Sequence, residues 1–146
     1  MAPDPAAVSK LQPCLAQLTH QFFYCLDEFR YDELVSLMET DGSWHRQGKV
    51  LRGRDAVLKA LAERPGTMRI RHVITNLLVT GVEDDTASVV AYLTAYRHDD
   101  GTDSPMPRVI AGPYRILIVR TRFRRHGEGW LIAEQSGTTE FEFAPA

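Results

Sequence analysis

The sequence lacks the commonest signatures of nucleophile, nucleotide and redox chemistry. Its 146 residues contain no Gly-x-Ser-x-Gly elbow, no phosphate-cradling glycine loop and no Cys-x-x-Cys pair. Cysteine is scarce, with only Cys14 and Cys25. On one helix these two stand about 16 Å apart, whereas a disulfide needs Cα atoms within about 7 Å. Free thiols point to a reducing cytoplasm. No window approaches about 20 apolar residues, and the start Met1-Ala2-Pro3-Asp4-Pro5 has neither a basic run nor an apolar stretch, so neither a membrane span nor a leader is expected. Charge of one sign is also missing. Lys plus Arg is 17 against 19 for Asp plus Glu, a net charge of −2 that gives no general field for nucleic acid or anionic lipid. The five histidines, His20, His45, His72, His98 and His126, are too scattered to form a His-x-x-x-His or His-x-His ligand pair, so no metal is expected.

The chain has an ordinary globular composition, with 44% hydrophobic and 25% charged residues, and a length suited to one domain over residues 1–146. Leu11, Leu15, Leu18, Phe22, Leu26 and Phe29 recur at three- and four-residue steps, the stripe of an amphipathic helix over Ala6 to Phe29. Asp32 is placed to cap a second short helix through Met38, which Asp41-Gly42 breaks. Ser43 to Val50 can form a hairpin around Gln47-Gly48, and Asp55 to Glu63 reads as a third helix ended by Pro65-Gly66. The period then changes to two. Met68–Val82, Thr86–Arg97, Arg108–Arg125 and Gly129–Phe143 read as long strands, with a polar loop from His98 to Pro107. Helices first and an antiparallel meander afterwards give an α+β fold, and strands this long must curl into a cone with the helices across its open side. A curled sheet leaves its convex face uncovered, and its apolar and aromatic residues there predict a homo-oligomer, dimer or trimer.

Asp27 falls in the last turn of the first helix, where the helix dipole disfavours a carboxylate, so another group should hold it. His20, Tyr24 and Asp27 form a polar line beside the apolar stripe, which solvent alone can satisfy. His72 shares a strand face with Ile70, Ile74 and Leu78, Asn76 being the only other polar member. An imidazole there needs a partner or costs about 1–3 kcal/mol, and a structural bond to a backbone carbonyl would serve equally well. Tyr92 and Tyr96 share a face with Val90 and Thr94, facing either a cavity or a subunit neighbour.

The stretch Asp27-Glu28-Phe29-Arg30-Tyr31-Asp32-Glu33-Leu34, then Gly42-Ser43-Trp44, Leu51-Arg52-Gly53-Arg54 and Arg71-His72-Val73-Ile74-Thr75-Asn76, resembles the SnoaL-like branch of the NTF2-like superfamily. The ending, from Ala111-Gly112-Pro113-Tyr114 to Gly129-Trp130-Leu131-Ile132-Ala133, extends the likeness to about Phe143. It implies three N-terminal helices packed on a strongly curved antiparallel sheet. Relatives such as scytalone dehydratase and hexachlorocyclohexane dehydrochlorinase use an Asp-His pair, which Asp27 and His72 match. The implied activity is that of a cofactor-independent lyase or isomerase acting on a small hydrophobic or polycyclic substrate. His72 would then be the general base, Asp27 would orient it, and Tyr24 could donate a hydrogen bond to a departing oxygen. Trp44, Phe23, Ile74, Asn76, Tyr92 and Gln135 are the expected substrate contacts, Gln135 standing where the dehydrochlorinase has an arginine. The same likeness extends to the β subunits of ring-hydroxylating dioxygenases, so a structural role beside a dioxygenase α subunit, or a ligand-binding module without turnover, is an open alternative.

Overall fold

Asp4 and Pro5 start the first helix. The Asp4 carboxylate accepts a bond of 3.2 Å from the Ala7 backbone N–H, and Pro5 occupies the first helical position, where its missing N–H costs nothing. The helix α1 (Pro5–Asp27) buries Leu15, Phe22, Phe23 and Leu26 on one side. It ends two residues before the expected Phe29, which takes a left-handed conformation (φ 59°) so that the Arg30 N–H bonds the Cys25 carbonyl at 2.8 Å. The Leu26 carbonyl is capped from a distance by the Arg64 guanidinium at 2.7 Å. The structure, a computed structural model, describes residues 2–144. The expected domain limits reach Met1, Pro145 and Ala146, which lie outside the described residues.

Helix α2 (Tyr31–Ser36) starts one residue before Asp32, so Asp32 lies in the first turn beside the positive helix end rather than capping it. Leu37 and Met38 do not continue the helix. Met38 opens strand β1 (Met38–Arg46), and Asp41-Gly42 forms an irregularity inside that strand instead of a break before it. Gly42 is required there, since an added Cβ would lie 2.9 Å from the Ile132 carbonyl oxygen. Gln47 and Gly48, both at positive φ, turn the chain into β2 (Lys49–Arg52), as the sequence suggested. Helix α3 (Arg54–Leu61) follows Gly53.

Four long strands complete the chain: β3 (Arg69–Glu83), β4 (Thr86–His98), β5 (Arg115–His126) and β6 (Gly129–Glu142). They pair as an antiparallel meander, and β1 joins parallel to β6, giving the order β2-β1-β6-β5-β4-β3. Residues 99–114 form a loop, so β5 begins seven residues later than the expected Arg108; Pro107 and Pro113 cannot donate to a ladder. Helices and concave sheet enclose one apolar cluster that includes Phe22, Leu34, Met38, Leu61, Phe123 and Ile132. The result is the α+β cone that the sequence implied. Among the described residues no helix is long and apolar enough to cross a membrane.

Candidate functional site

Phe23 and Asp27 lie one turn apart on α1 and so point the same way, toward β3. There the Asp27 carboxylate meets His72 twice. One oxygen accepts the His72 backbone N–H at 3.0 Å and the other lies 2.5 Å from Nδ1. The group that offsets the unfavourable helix end is thus a strand residue. Asp27 is only 6% exposed, and the Phe23 ring sits 5.3 Å from the imidazole, centroid to centroid. A carboxylate at Nδ1 selects the tautomer with the proton on Nδ1 and leaves the Nε2 lone pair available. Among the described residues no protein group bonds Nε2.

His72 forms part of the wall of a cavity of about 390 Å³ between the helices and the concave sheet. Its deep end is apolar, formed by Phe23, Leu26, Trp44, Ile70, Leu93 and Val119. Trp44 stacks edge-on against Phe22 at 5.0 Å. Gln135 is the polar exception. It is 1% exposed, its Oε1 accepts from the Thr121 hydroxyl at 3.1 Å, and its Nε2 is buried without a hydrogen-bond partner among the described residues. An unpaired buried amide donor costs about 1–3 kcal/mol unless a bound molecule accepts from it.

The structure therefore brings Asp27, His72, Phe23, Trp44 and Gln135 together, and it separates four other expected residues from them. Tyr24 is 53% exposed because one residue along a helix is a rotation of about 100°, which turns it away from the face shared by Phe23 and Asp27. Tyr92 is 47% exposed on the convex face, since β4 buries the opposite parity of Ala91, Leu93 and Ala95. Asn76 is exposed at φ 54°, the extra residue of a bulge between Thr75 and Leu78. The bulge also overturns the expected face: after Ile70, His72 and Ile74 the inward series shifts to Leu77 and Val79, leaving Leu78 outside. Ile74 packs against the core and does not line the cavity.

What sequence reasoning missed is the polar end of the cavity, where His45, Arg46, Glu63, Arg64, Arg97 and Arg115 gather beside Tyr114. They come from β1, the turn after α3, β4 and β5, so no local spacing announces them. The signal available was strand parity, because Arg46 follows Trp44, Arg97 follows Leu93 and Ala95, and Arg115 precedes Leu117. Burial first, then the neighbouring Arg64 and Arg115 charges, lower the pKa of Arg46 below the ordinary arginine value. Among the described residues no group of three His, Cys, Asp or Glu side chains converges as a metal site would require.

A family model described as a SnoaL-like domain matches residues 11–135. No curated protein matches the sequence. Among solved structures, an NTF2-like protein with a cystatin-like fold from Novosphingobium aromaticivorans is 20% identical, with a TM-score of 0.73 over 92% of this chain and 84% of that one. A Catenulispora acidiphila protein in complex with S-DNPA is 22% identical, TM-score 0.73, covering 90% and 94%. ActVI-ORFA from Streptomyces coelicolor is 12% identical, TM-score 0.73, covering 90% and 98%. Identities this low carry the fold alone.

Proposed function

The chain belongs to the SnoaL-like domain family, and from that premise and the shape of its cavity we propose that it is a cofactor-independent lyase or isomerase that removes a proton beside a carbonyl. The observation that carries this reading is the Asp27 carboxylate 2.5 Å from Nδ1 of a histidine that lines the cavity and whose other nitrogen bonds no protein group among the described residues. In the proposed step, His72 Nε2 takes a proton from the carbon next to a substrate carbonyl. Asp27 stabilises the imidazolium that forms. The electron pair moves onto the carbonyl oxygen, giving an enolate. Collapse of that enolate expels a β-hydroxyl group, which leaves as water on receiving the proton from His72; return of the proton to a different carbon gives isomerisation instead. A small, hydrophobic or polycyclic molecule suits the aromatic and aliphatic deep end. The free thiols, Cys14 exposed and Cys25 buried, suit a reducing cytoplasm.

We also propose that the protein works as a homo-oligomer through the convex face, where Val73, Tyr92 and Tyr96 are exposed together and Tyr92 pairs in register with Ile118.

The test is turnover of β-hydroxy ketones fused to aromatic rings, followed by absorbance of the conjugated product. His72→Ala should lower kcat by about 100-fold or more, and Asp27→Asn should lower it with little change in KM. Unchanged turnover in both variants would remove the reading.

A further inference from the structure

The charged end of the cavity serves no purpose in proton abstraction by His72. Four arginines and one glutamate, with His45, border one end of it in a chain whose overall charge is negative. The usual explanation for clustered arginines is pairing with nearby carboxylates, and it fails here. Among the described residues no carboxylate lies within 4.0 Å of the guanidinium groups of Arg46, Arg64, Arg97 or Arg115. Arg64 has a structural task, bonding the Leu26 carbonyl at 2.7 Å and the Tyr31 hydroxyl at 2.9 Å. Among the described residues the other three make no side-chain hydrogen bond and lie against aromatic faces, with Asp99 acting on Arg97 only at longer range than an ion pair: Arg46 lies 4.8 Å from the Trp44 ring centroid, while Arg97 and Arg115 lie 5.4 and 4.7 Å from that of Tyr114. Aromatic stacking fixes a guanidinium in place and leaves its N–H fork unspent. Like charges brought together without an anion repel, and burial strengthens that repulsion.

We propose that this end of the cavity binds an anionic group of the substrate, a carboxylate for which the forks of Arg46, Arg97 and Arg115 are suited, while the apolar body of the same molecule lies against Phe23, Trp44 and His72. The substrate class is therefore an aromatic or polycyclic acid rather than a neutral hydrophobe. The ladder supports this division of labour. His72 is opposite Ala95, and Ala95 is opposite Arg115, so the two residues share one row of the sheet two strand spacings apart, about 10 Å at the Cα atoms. A bicyclic molecule bridges such a span, with its acid at one end and its reacting carbon at the other. The proposal rests on the cavity being the substrate site of the proposed lyase or isomerase, but not on His72 acting as a base.

Calorimetric binding of 2-naphthoate and of its neutral isostere 2-naphthamide at low salt tests it. The acid should bind the wild-type protein at least about tenfold more tightly than the amide, an advantage that shrinks as salt is added. Arg115→Gln and, independently, Arg97→Gln should each cut acid affinity by about tenfold and leave amide affinity unchanged, and Arg115→Lys should retain part of the preference. His72→Ala should keep the full preference for the acid, so loss of turnover and loss of anion selectivity separate the catalytic reading from this one. An acid that binds no better than the amide, or not at all, would overturn the proposal, as would an acid preference unaltered in both glutamine variants.

Discussion

Asp27 illustrates how a single residue type at a single position reports on its surroundings. A carboxylate at a helix C-terminus is electrostatically misplaced, so the sequence alone calls for a compensating donor, and the two donors come from one residue 45 positions away. Which residue would supply them was not legible from spacing, because a backbone N–H leaves no mark in a sequence. Tyr24 shows the opposite error: proximity along the chain suggested proximity to the site, and helical rotation removed it. Cysteine gives a residue-scale prediction. Burial and the nearby Glu33 carboxylate raise the pKa of the Cys25 thiol, the weaker influence of Arg30 notwithstanding, whereas Cys14 is exposed. A raised pKa means less thiolate at any given pH, and only thiolate reacts. At pH 8 a chromogenic disulfide reagent should therefore titrate one thiol rapidly in the native protein and two after denaturation. Two rapid equivalents in the native state would contradict the burial of Cys25.

At the scale of elements, Asn76 decides which residues of β3 face inward. Two residues, Asn76 and Leu77, oppose the single Ala91, and the left-handed conformation at Asn76 absorbs the excess. Asparagine tolerates φ 54° far better than a branched residue, so Asn76→Val should destabilise the protein by about 1–2 kcal/mol and Asn76→Gly by less than about 0.5 kcal/mol, read from urea midpoints. Equal midpoints for the two variants would show that the bulge carries no strain. The bulge also explains why strict alternation misassigned Leu78 and Asn76 to the cavity face. Period-two reasoning holds within an unbroken ladder, and nothing in Thr75-Asn76-Leu77-Leu78 marks the break apart from an asparagine. The Gln47-Gly48 turn was legible because turn chemistry is local; the ends of α1 and α2 were misplaced by one or two residues, and the parallel pairing of β1 with β6 was not legible, since it joins segments about 90 residues apart.

For the molecule as a whole, the order of helices and strands and the curl forced by strand length led to the right architecture, because each strand's burial parity and the apolar stripe of α1 demand a common core. Surfaces were harder to read. Tyr92 and Tyr96 fitted either face on sequence alone, and β4 parity puts them outside, with Val73 beside them. If that face joins subunits, light scattering at micromolar concentration should give a dimer or trimer mass, and Tyr92→Asp should reduce it to that of one chain. A wild-type monomer would remove this assignment, and stable co-purification with a larger iron-containing subunit would reassign the same face to a dioxygenase-type partner. The claim on which the proposed function depends is that His72 removes protons from carbon, and it can be measured without knowing the natural substrate. Proton NMR in D2O follows exchange of the acidic C1 protons of 2-tetralone, a bicyclic ketone small enough for the cavity. We expect the wild-type protein to accelerate exchange above the buffer rate and His72→Ala, correctly folded by circular dichroism, to return it to that rate; equal acceleration by the two proteins would contradict the assignment of His72 as the base.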